Sequence, residues 1–341
     1  MKKRILAVLL TAVMLTAVTA CGSQSGSDSS QDGGTTQDAS SDKITMVLDF
    51  TPNTNHTGFY VAQALGHFED ENLDVEIVQP PEGGATQLVA SGKAQFGIDA
   101  QDTMAPALIG DAKLPITAVA AVLQHNTSGL MSRQGEGMDR PKGLEGKNYA
   151  TWDNPVEQAM IKNIVETDGG DYSKVNLIPN NITDEPTALR TKQADAIWVF
   201  YAWGGIAAEQ AGVATDFITF SDINPVFDYY TPVIIAGNDY LEENPDTAKA
   251  FLRAVSKGYE YAIENPQEAA EILCEEAEGL DEELVLASQE WISEQYQADA
   301  QQWGYIDPTR WNAFYSWLDE NGLIDEPIGT DVGYTNEYLP S

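Results

Sequence analysis

Apolar runs of strand length recur along the chain and alternate with segments of helical periodicity. The first run is ITMVLDF (44–50), the last is TPVIIAG (231–237), and seven more lie between them. Segments such as GFYVAQALGHFEDEN (58–72), in which apolar residues recur at helical spacing, separate several of these runs. This alternation is typical of α/β proteins, in which helices cover the faces of a largely parallel sheet. The pattern therefore predicts an α/β fold.

The pattern changes after residue 237. Asn244 and Pro245 precede the amphipathic segment DTAKAFLRAVSKGYEYAIEN, and Asn265 and Pro266 open another helical segment. Proline is well tolerated in the first turn of a helix, so both pairs mark helix starts. We predict that the last third of the chain is helical and that its helices wrap onto one of two α/β lobes.

The start of the chain has the features of an export signal. MKKR is followed by the apolar stretch ILAVLLTAVMLTAV and then by VTAC, which places small residues before Cys21. This order predicts a lipoprotein signal peptide at 1–20, after which Cys21 carries lipid. The alternative is an ordinary signal peptide with Cys21 incidental. Residues 22–42 are mostly Gly, Ser, Thr, Gln and Asp, so 21–42 are predicted to be the lipidated cysteine and a flexible tether.

Composition narrows the function classes. The 341-residue chain carries a formal net charge of −35, and removal of the signal takes away Lys2, Lys3 and Arg4 and lowers it to −38. This charge argues against binding to nucleic acid or to anionic lipid headgroups, and it disfavours an anionic ligand. About 300 residues follow the tether, enough for a core in two lobes. Cys274 is then the remaining cysteine, so no intramolecular disulfide is predicted.

Polar turns follow several of the predicted strands. DFTPNTNHTGFY (49–60) leaves the first strand with a row of uncharged hydrogen-bonding side chains, and it includes His56, the first of three histidines. Ligands of open α/β sheets bind at the carboxyl ends of strands. The same rule selects four further turns that contain no lysine or arginine: EGGATQ (82–87), DAQDTM (99–104), ATWDNP (150–155) and VFYAWGG (199–205).

Three side chains in or directly beside these turns are candidates for ligand contacts. Trp152 and Trp198 could hold a flat ligand, although packing alone would also account for them. His56 can both donate and accept a hydrogen bond as a neutral imidazole, whereas the alternative is a histidine satisfied within its own turn. The sequence has no metal-binding spacing of His and Cys, no Walker loop and no nucleophile motif. We therefore predict no metal, no cofactor and no catalytic residue.

The turn after the first strand also carries a family pattern. Three further blocks follow it: SGKAQFG (91–97), ATWDNPVEQAMIK (150–162) and ADAIWVFYAWGGI (194–206). On these residues the chain resembles, between 43 and 320, the NMT1/THI5-like branch of the substrate-binding lipoproteins of ABC transporters. Phe50 stands where this pattern usually has tryptophan. The residues of the first block that match the pattern are Asp49, Pro52, Asn53, Asn55, His56, Gly58, Tyr60, Val61 and Ala62.

The resemblance implies a two-lobed periplasmic-binding-protein type II fold with the C-terminal helices on lobe 1. Lobe 1 would comprise 43–127 and 233–341, and lobe 2 would comprise 128–232. The resemblance also implies a monomer that works with an ABC permease and ATPase. Such a protein would be extracytoplasmic and held on a bacterial cell membrane by its N-terminal lipid.

The resemblance further implies a set of ligand contacts. Asn53 and His56 would bind ring nitrogens and substituents, and Tyr60 and Trp152 would stack on the ring. Either Glu157 or Asp102 would accept from an exocyclic amine, and Trp198 and Tyr201 would come from the opposite lobe. Asp49 and Tyr230 complete the predicted set.

The function implied is capture of a small neutral heterocycle, namely a pyrimidine precursor of thiamine (formylaminopyrimidine or hydroxymethylpyrimidine), for import and without catalysis. Riboflavin and a sulfonate such as taurine are alternatives. A sulfonate would favour arginine, serine and helix N-termini in the cleft, and the turns at the strand ends contain no arginine, which counts against it. The yeast members of the family are pyrimidine-synthesising enzymes that use pyridoxal phosphate, a lysine and a cysteine-rich segment. The present chain has no cysteine cluster, so the enzyme alternative is disfavoured. A surface adhesion or sensing role on the same fold is a further alternative.

Overall fold

The computed structural model describes residues 42–111 and 113–340. The predicted signal peptide at 1–20, the lipidation of Cys21 and all of the predicted tether except residue 42 lie outside the described residues. Among the helices of the described part, none is both long and apolar enough to cross a membrane.

The described residues contain two five-stranded sheets. The first has the strand order β2-β1-β3-β10-β4, and the second has the order β7-β6-β8-β5-β9. The strands are β1 (Asp42–Val47), β2 (Leu73–Val78), β3 (Phe96–Asp99), β4 (Ile116–Ala121), β5 (Ser128–Arg133), β6 (Asn148–Thr151), β7 (Asn176–Pro179), β8 (Ala196–Phe200), β9 (Thr215–Thr219) and β10 (Val233–Gly237).

The sequence pattern predicts a largely parallel sheet, but each of the two sheets is mixed. β1 pairs in parallel with β2 and β3, and β6 pairs in parallel with β7 and β8. β10 and β5 each run antiparallel to both of their neighbours. The two strands begin where the chain has just crossed from one sheet to the other, and each enters its new sheet in the reverse direction.

Helices fill the connections and the last third of the chain. The α-helices of the described residues are α1 (Thr57–Ala64), α2 (His67–Asp70), α3 (Thr86–Ala90), α4 (Gln101–Met104), α5 (Pro155–Thr167), α6 (Glu185–Arg190), α7 (Ile206–Gln210), α8 (Phe220–Ile223), α9 (Asn238–Glu243), α10 (Pro245–Glu264), α11 (Pro266–Glu276), α12 (Glu282–Gln297) and α13 (Pro308–Glu320). A π-helical turn, Tyr201–Gly205, joins β8 to α7.

The C-terminal helices pack on the first sheet. Phe251 of α10 stacks on Phe96 of β3 with ring centroids 4.0 Å apart, and α13 reaches the turn after β3 because the Tyr315 hydroxyl donates to the carbonyl of Gln101 over 3.0 Å. α1 and α10 approach each other closely, since a Cβ atom on Gly258 would lie 1.9 Å from the carbonyl oxygen of Gly58. Only glycine allows two helix backbones to come this near.

Two segments cross between the sheets, one from β4 to β5 and one from β9 to β10. Asp228 in the second crossing ties them together. Its carboxylate accepts from the backbone N–H of Asn126 at 2.9 Å and lies 2.7 Å from Nδ1 of His125 and 3.2 Å from Arg310. The division into lobes at 127/128 and 232/233 stays a prediction, which these strand memberships support.

Candidate ligand-binding cleft

A cavity of about 690 Å³ lies between the turns of the two sheets. Its volume is in the range of small-molecule pockets, roughly 300–1,000 Å³. The first sheet contributes the turns after β1 and β3, the start of α3 and part of the second crossing. The second sheet contributes the turn after β6, the start of α5 and the end of β8. The polar and aromatic residues of the wall are Asp49, Thr86, Gln87, Asp99, Asp102, Thr103, Trp152, Asn154, Glu157, Trp198, Phe200, Tyr229 and Thr231.

Aromatic rings form the wall on the side of the second sheet. Trp152 packs on Trp198 with ring centroids 5.4 Å apart, and Trp198 packs on Phe220 at 4.2 Å. Trp198 is only 5% exposed, whereas Trp152 is 45% exposed. A large aromatic ring this exposed at a cavity wall is available for stacking on a flat ligand.

Glu157 holds the turn that carries Trp152. Its buried carboxylate accepts from the Tyr149 hydroxyl at 2.6 Å, from the Thr151 hydroxyl at 2.8 Å and from the backbone N–H of Trp152 at 3.1 Å. Burial, and then the adjacent Glu157 charge, raise the pKa of Tyr149 well above its usual value, so this phenol remains a donor. Glu157 reaches the cavity wall, but its acceptor positions face protein donors. Its main role is therefore to fix the position of Trp152.

Carboxylates line the opposite wall. Asp99 accepts from the hydroxyls of Thr86 and Thr103 and from the backbone N–H of Ala100, and burial raises its pKa. Asp102 lies one turn further along, and burial together with the charge of Asp99 raises the pKa of Asp102 to about 6. None of the described residues that line the cavity is lysine, arginine or histidine. The cavity therefore presents acceptors and negative charge, with no basic partner.

His56 lies behind this wall and acts on Asp49. The backbone N–H of Asn53 donates to Nδ1 of His56 at 3.2 Å, so the ring proton is on Nε2. Nε2 is 2.7 Å from Oδ1 of Asp49 and donates to it. His56 is fully buried, and Asp49 lines the cavity. The imidazole thus positions a carboxylate. It lies outside the cavity wall, whereas the family resemblance implies that His56 contacts the ligand.

Most other polar groups of the 49–57 turn are satisfied inside the protein. Asn53 caps the turn, accepting from the backbone N–H of Asn55 at 2.9 Å and donating to the carbonyl of Thr51 at 3.0 Å. The Thr54 hydroxyl is 2.7 Å from Ser288, and the Thr57 hydroxyl donates to Gln289 at 2.6 Å, both on α12. These groups anchor the turn to α12, so the uncharged row of the motif mainly builds a scaffold.

The structure brings five of the ten predicted ligand contacts to the cavity: Asp49, Asp102, Trp152, Glu157 and Trp198. Tyr60 is buried in an apolar cluster with Leu48 and Leu273. Tyr201 packs on Phe217 and Trp291, with ring centroids 5.0 Å away in each case. The wall of the cavity therefore does not include Tyr60, Tyr201, Asn53 or His56.

Tyr230 also lies outside the wall, and its neighbours take its place. Its hydroxyl accepts from the backbone N–H of Asp307 at 2.8 Å, and the Arg310 guanidinium lies over its ring. Tyr229 and Thr231 point to the cavity instead, as the alternation of side chains along extended backbone requires. The wall also contains Asp99 and Thr86, which lie in two of the predicted turns but were not among the predicted contacts.

The raised pKa of Asp102 predicts a pH-dependent stability change. A carboxyl group whose pKa is higher in the folded protein than in the unfolded chain destabilises the folded protein at pH values above the folded-state pKa. This destabilisation decreases as the pH falls, and it is absent below the pKa of the unfolded chain. We expect Asp102→Asn to raise the free energy of unfolding by about 1 kcal/mol at pH 7.5 and by progressively less toward pH 4. Urea unfolding at several pH values measures this.

The matched control is Asp74→Asn, at an exposed position of β2. Its effect on the free energy of unfolding should be small. A gain for Asp102→Asn that is the same at every pH would contradict the burial of a charge as its cause.

Comparison with known proteins gives a consistent family and fold. The family model described as NMT1/THI5 like matches residues 53–269. The chain is 29% identical over 309 residues to a formylaminopyrimidine-binding protein of Halalkalibacterium halodurans, covering 88% of this chain and 91% of that protein. It is 26% identical over 317 residues to a 4-amino-5-hydroxymethyl-2-methylpyrimidine phosphate synthase of Saccharomyces cerevisiae, covering 88% of each chain.

Among solved structures, the periplasmic aliphatic sulphonate binding protein of Escherichia coli superposes with a TM-score of 0.65 at 12% identity, covering 84% of this chain and 90% of that one. Structural similarity at this sequence identity is evidence for the shared fold alone. The predicted two-lobed periplasmic-binding-protein type II fold, with its C-terminal helices on the first lobe, is confirmed.

Proposed function

Because the chain belongs to the NMT1/THI5-like family, we propose that it is the solute-binding component of an ABC importer and not an enzyme. Its ligand in this proposal is a small neutral heterocycle, a pyrimidine precursor of thiamine such as formylaminopyrimidine or hydroxymethylpyrimidine. The similarity to a formylaminopyrimidine-binding protein supports this choice.

The observation that carries the proposal is the contrast between the two walls of the cavity. Trp152 and Trp198 offer aromatic faces on one side, and Asp49, Asp99 and Asp102 offer acceptors on the other. A flat ring with amino substituents satisfies both walls, because it stacks on indole and donates to carboxylates.

Binding in this proposal works by lobe closure. Trp152 is 45% exposed in the conformation described, and the cavity has more room than a single substituted pyrimidine fills. A ligand that contacts both walls has a higher affinity for a closed arrangement, and that difference in affinity shifts the population toward closure. No bond is made or broken.

An anionic ligand fits these walls poorly. A sulfonate requires arginine, hydroxyl groups or free backbone N–H groups near its oxygens. The described cavity wall includes three aspartates and no arginine, and its Thr86 and Thr103 hydroxyls already donate to Asp99. Riboflavin, an uncharged and larger heterocycle, remains the alternative within the binding class, and a direct titration distinguishes it.

A pyrimidine-synthesising enzyme is the alternative from another class, since the relatives include synthases. A pyridoxal phosphate Schiff base needs a lysine at the cleft, and no lysine lines the described cavity wall. His56 is enclosed between Asn53 and Asp49 rather than facing the cavity. Both observations favour binding over synthesis.

The proposal includes location and partners. The predicted signal, lipidated Cys21 and tether would hold the domain outside the cell membrane, where a permease with its ATPase takes up the ligand. A monomer suffices, because both walls of the cavity come from one chain.

Calorimetric titration of the ligand-free protein tests the proposal. We expect saturable binding of hydroxymethylpyrimidine or formylaminopyrimidine, and no binding of taurine. Binding of taurine alone would refute the proposed ligand class, and binding of riboflavin alone would change the ligand within it. An absorbance scan with added pyridoxal phosphate tests the enzyme alternative, since a Schiff-base band would support it.

A further inference from the structure

A second cavity, of about 380 Å³, lies where the first crossing meets α12 and the second sheet. It shares no lining residue with the cleft. Its walls come from three parts of the fold: the crossing before β5, the turn and strand around β8 and β9, and the helix α12. The lining residues are His125, Asn126, Thr127, Tyr201, Phe217, Thr219, Ser221, Trp291 and Gln295.

We call this second cavity the hinge cavity, because it lies beside the first crossing between the sheets. Three aromatic rings form one continuous wall of it. Tyr201 contacts Phe217 and Trp291, each with ring centroids 5.0 Å apart, and all three side chains are partly exposed. The rings touch each other instead of surrounding a central point. Such a surface suits stacking with a flat ring better than enclosure of a compact cation.

Next to Tyr201, just before the neighbouring strand β5, lies a hydrogen-bonding group without a partner. Thr127 is 7% exposed, and its buried hydroxyl has no hydrogen-bond partner. A buried polar group without a partner is costly and rare in folded proteins. The Thr127 hydroxyl can both donate and accept once a change of its side-chain rotamer turns it into the cavity. Thr219, Ser221 and Gln295 add uncharged polar groups, and both ring nitrogens of His125, which also lines the cavity, are already within hydrogen-bond distance of Asp228 and Asp299.

We propose that the hinge cavity is a second ligand site, which takes a small, uncharged, flat heteroaromatic molecule that stacks on Tyr201 and Trp291 and hydrogen-bonds to Thr127. The ligand would be an effector. By filling space between α12 and the second sheet, it holds the arrangement described here and opposes closure of the cleft. The coupling to the cleft, though not the site itself, rests on the proposed function.

The contacts around the cavity explain this coupling. α12 is attached to the turn after β1 because the Thr57 hydroxyl donates to Gln289. It also contacts the segment that follows β8: Trp291 packs on Tyr201, and the backbone carbonyl of Glu283 accepts from Gln210 at 2.7 Å. Any rotation of the second sheet toward the first must change the distance between Trp291 and Tyr201. A ligand seated on both rings therefore has different affinity for the open and closed arrangements, and the effect is reciprocal.

Nicotinamide is a suitable probe because it is flat, uncharged and able to donate and accept; nicotinate is its anionic counterpart. Saturation-transfer NMR on the full domain should show saturable nicotinamide binding and much weaker nicotinate binding. Trp152→Ala, which alters only the cleft, should leave this signal. Thr127→Val should weaken nicotinamide binding about tenfold, the worth of one good hydrogen bond. Its melting temperature should be equal or higher, because an unpaired buried hydroxyl is removed.

Thr167→Val, at an exposed position of α5, is the matched control and should leave nicotinamide binding unchanged. Calorimetry of hydroxymethylpyrimidine with and without nicotinamide measures the coupling, for which we expect an affinity loss of about fivefold or more in the unchanged protein and a clearly smaller loss in Thr127→Val at the same nicotinamide concentration. An equal loss in both proteins would show competition in the cleft and would overturn the effector role. Loss of the nicotinamide signal in Trp152→Ala, its persistence in Thr127→Val, or the absence of any signal would overturn the second site. An unchanged pyrimidine affinity would overturn the effector role. Failure of the proposed function would show separately, as absence of pyrimidine binding without nicotinamide.

Discussion

Replacing Trp152 by alanine is expected to weaken hydroxymethylpyrimidine binding about 100-fold, since removal of an aromatic partner costs up to about 3 kcal/mol per stacked base. Trp152 is the exposed ring of the aromatic wall, and Glu157 fixes its backbone through the N–H at 3.1 Å. The Trp152→Ala substitution leaves Trp198, which is almost fully buried, as the remaining indole of the aromatic wall. Calorimetric titration measures the loss, and the melting temperature without ligand should change little.

Phe50→Ala provides a control of similar chemistry. Phe50 is 59% exposed and follows Asp49 directly, but it is absent from the cavity wall. Its removal should change pyrimidine affinity less than threefold, a difference of about 0.7 kcal/mol. Equal losses in Trp152→Ala and Phe50→Ala would show that the ligand lies nearer the turn after β1 than the cavity implies.

The second large effect is expected at Asp49. Asp49→Asn should weaken hydroxymethylpyrimidine binding about 30-fold, because hydrogen bonds to a charged acceptor contribute about 2 kcal/mol. His56→Gln should cost about fivefold, because glutamine keeps a donor near Asp49 but loses the fixed geometry of the imidazole. Calorimetry on both variants and on the double variant measures their coupling.

The double variant separates positioning from direct contact. If His56 acts through Asp49, adding His56→Gln to Asp49→Asn should cause no further loss of affinity. Independent, additive losses would instead place the imidazole on the ligand. Asp70→Asn, an exposed change on α2, is the control and should leave the affinity unaltered.

The sequence predicted the location of the site better than its contacts. The rule that ligands bind at strand ends selected the turns carrying Asp49, Asp102 and Trp152, and the structure brings these together. Which side chain of a turn faces the cavity depends on backbone direction, which the pattern of apolar residues does not determine. Tyr229 and Tyr230 illustrate this, because one residue of displacement exchanges a cavity wall for a packed interior.

The fold was predictable as a class but not in strand direction. β5 was not recognised, since SGLMSR has neither regular alternation nor a run of β-branched residues, and its burial arises from pairing on both sides. β10 was recognised as a strand, but only the crossing between the sheets makes it antiparallel. Both depend on contacts between distant segments, which short-range periodicity does not report.

The attachment of the 49–57 turn to α12 has a consequence for assigning ligands to related chains. The hydroxyls of Thr54 and Thr57 join the turn to α12, while Asn53 and His56 use their polar groups within the turn itself. A match to this motif therefore groups proteins mainly by shared architecture, and Asp49 is the residue of the turn that reaches the cavity wall. The ligand should follow the positions equivalent to 49, 99, 102, 152, 198 and 229, and a comparison restricted to those six should sort importers from synthases more sharply than the motif does.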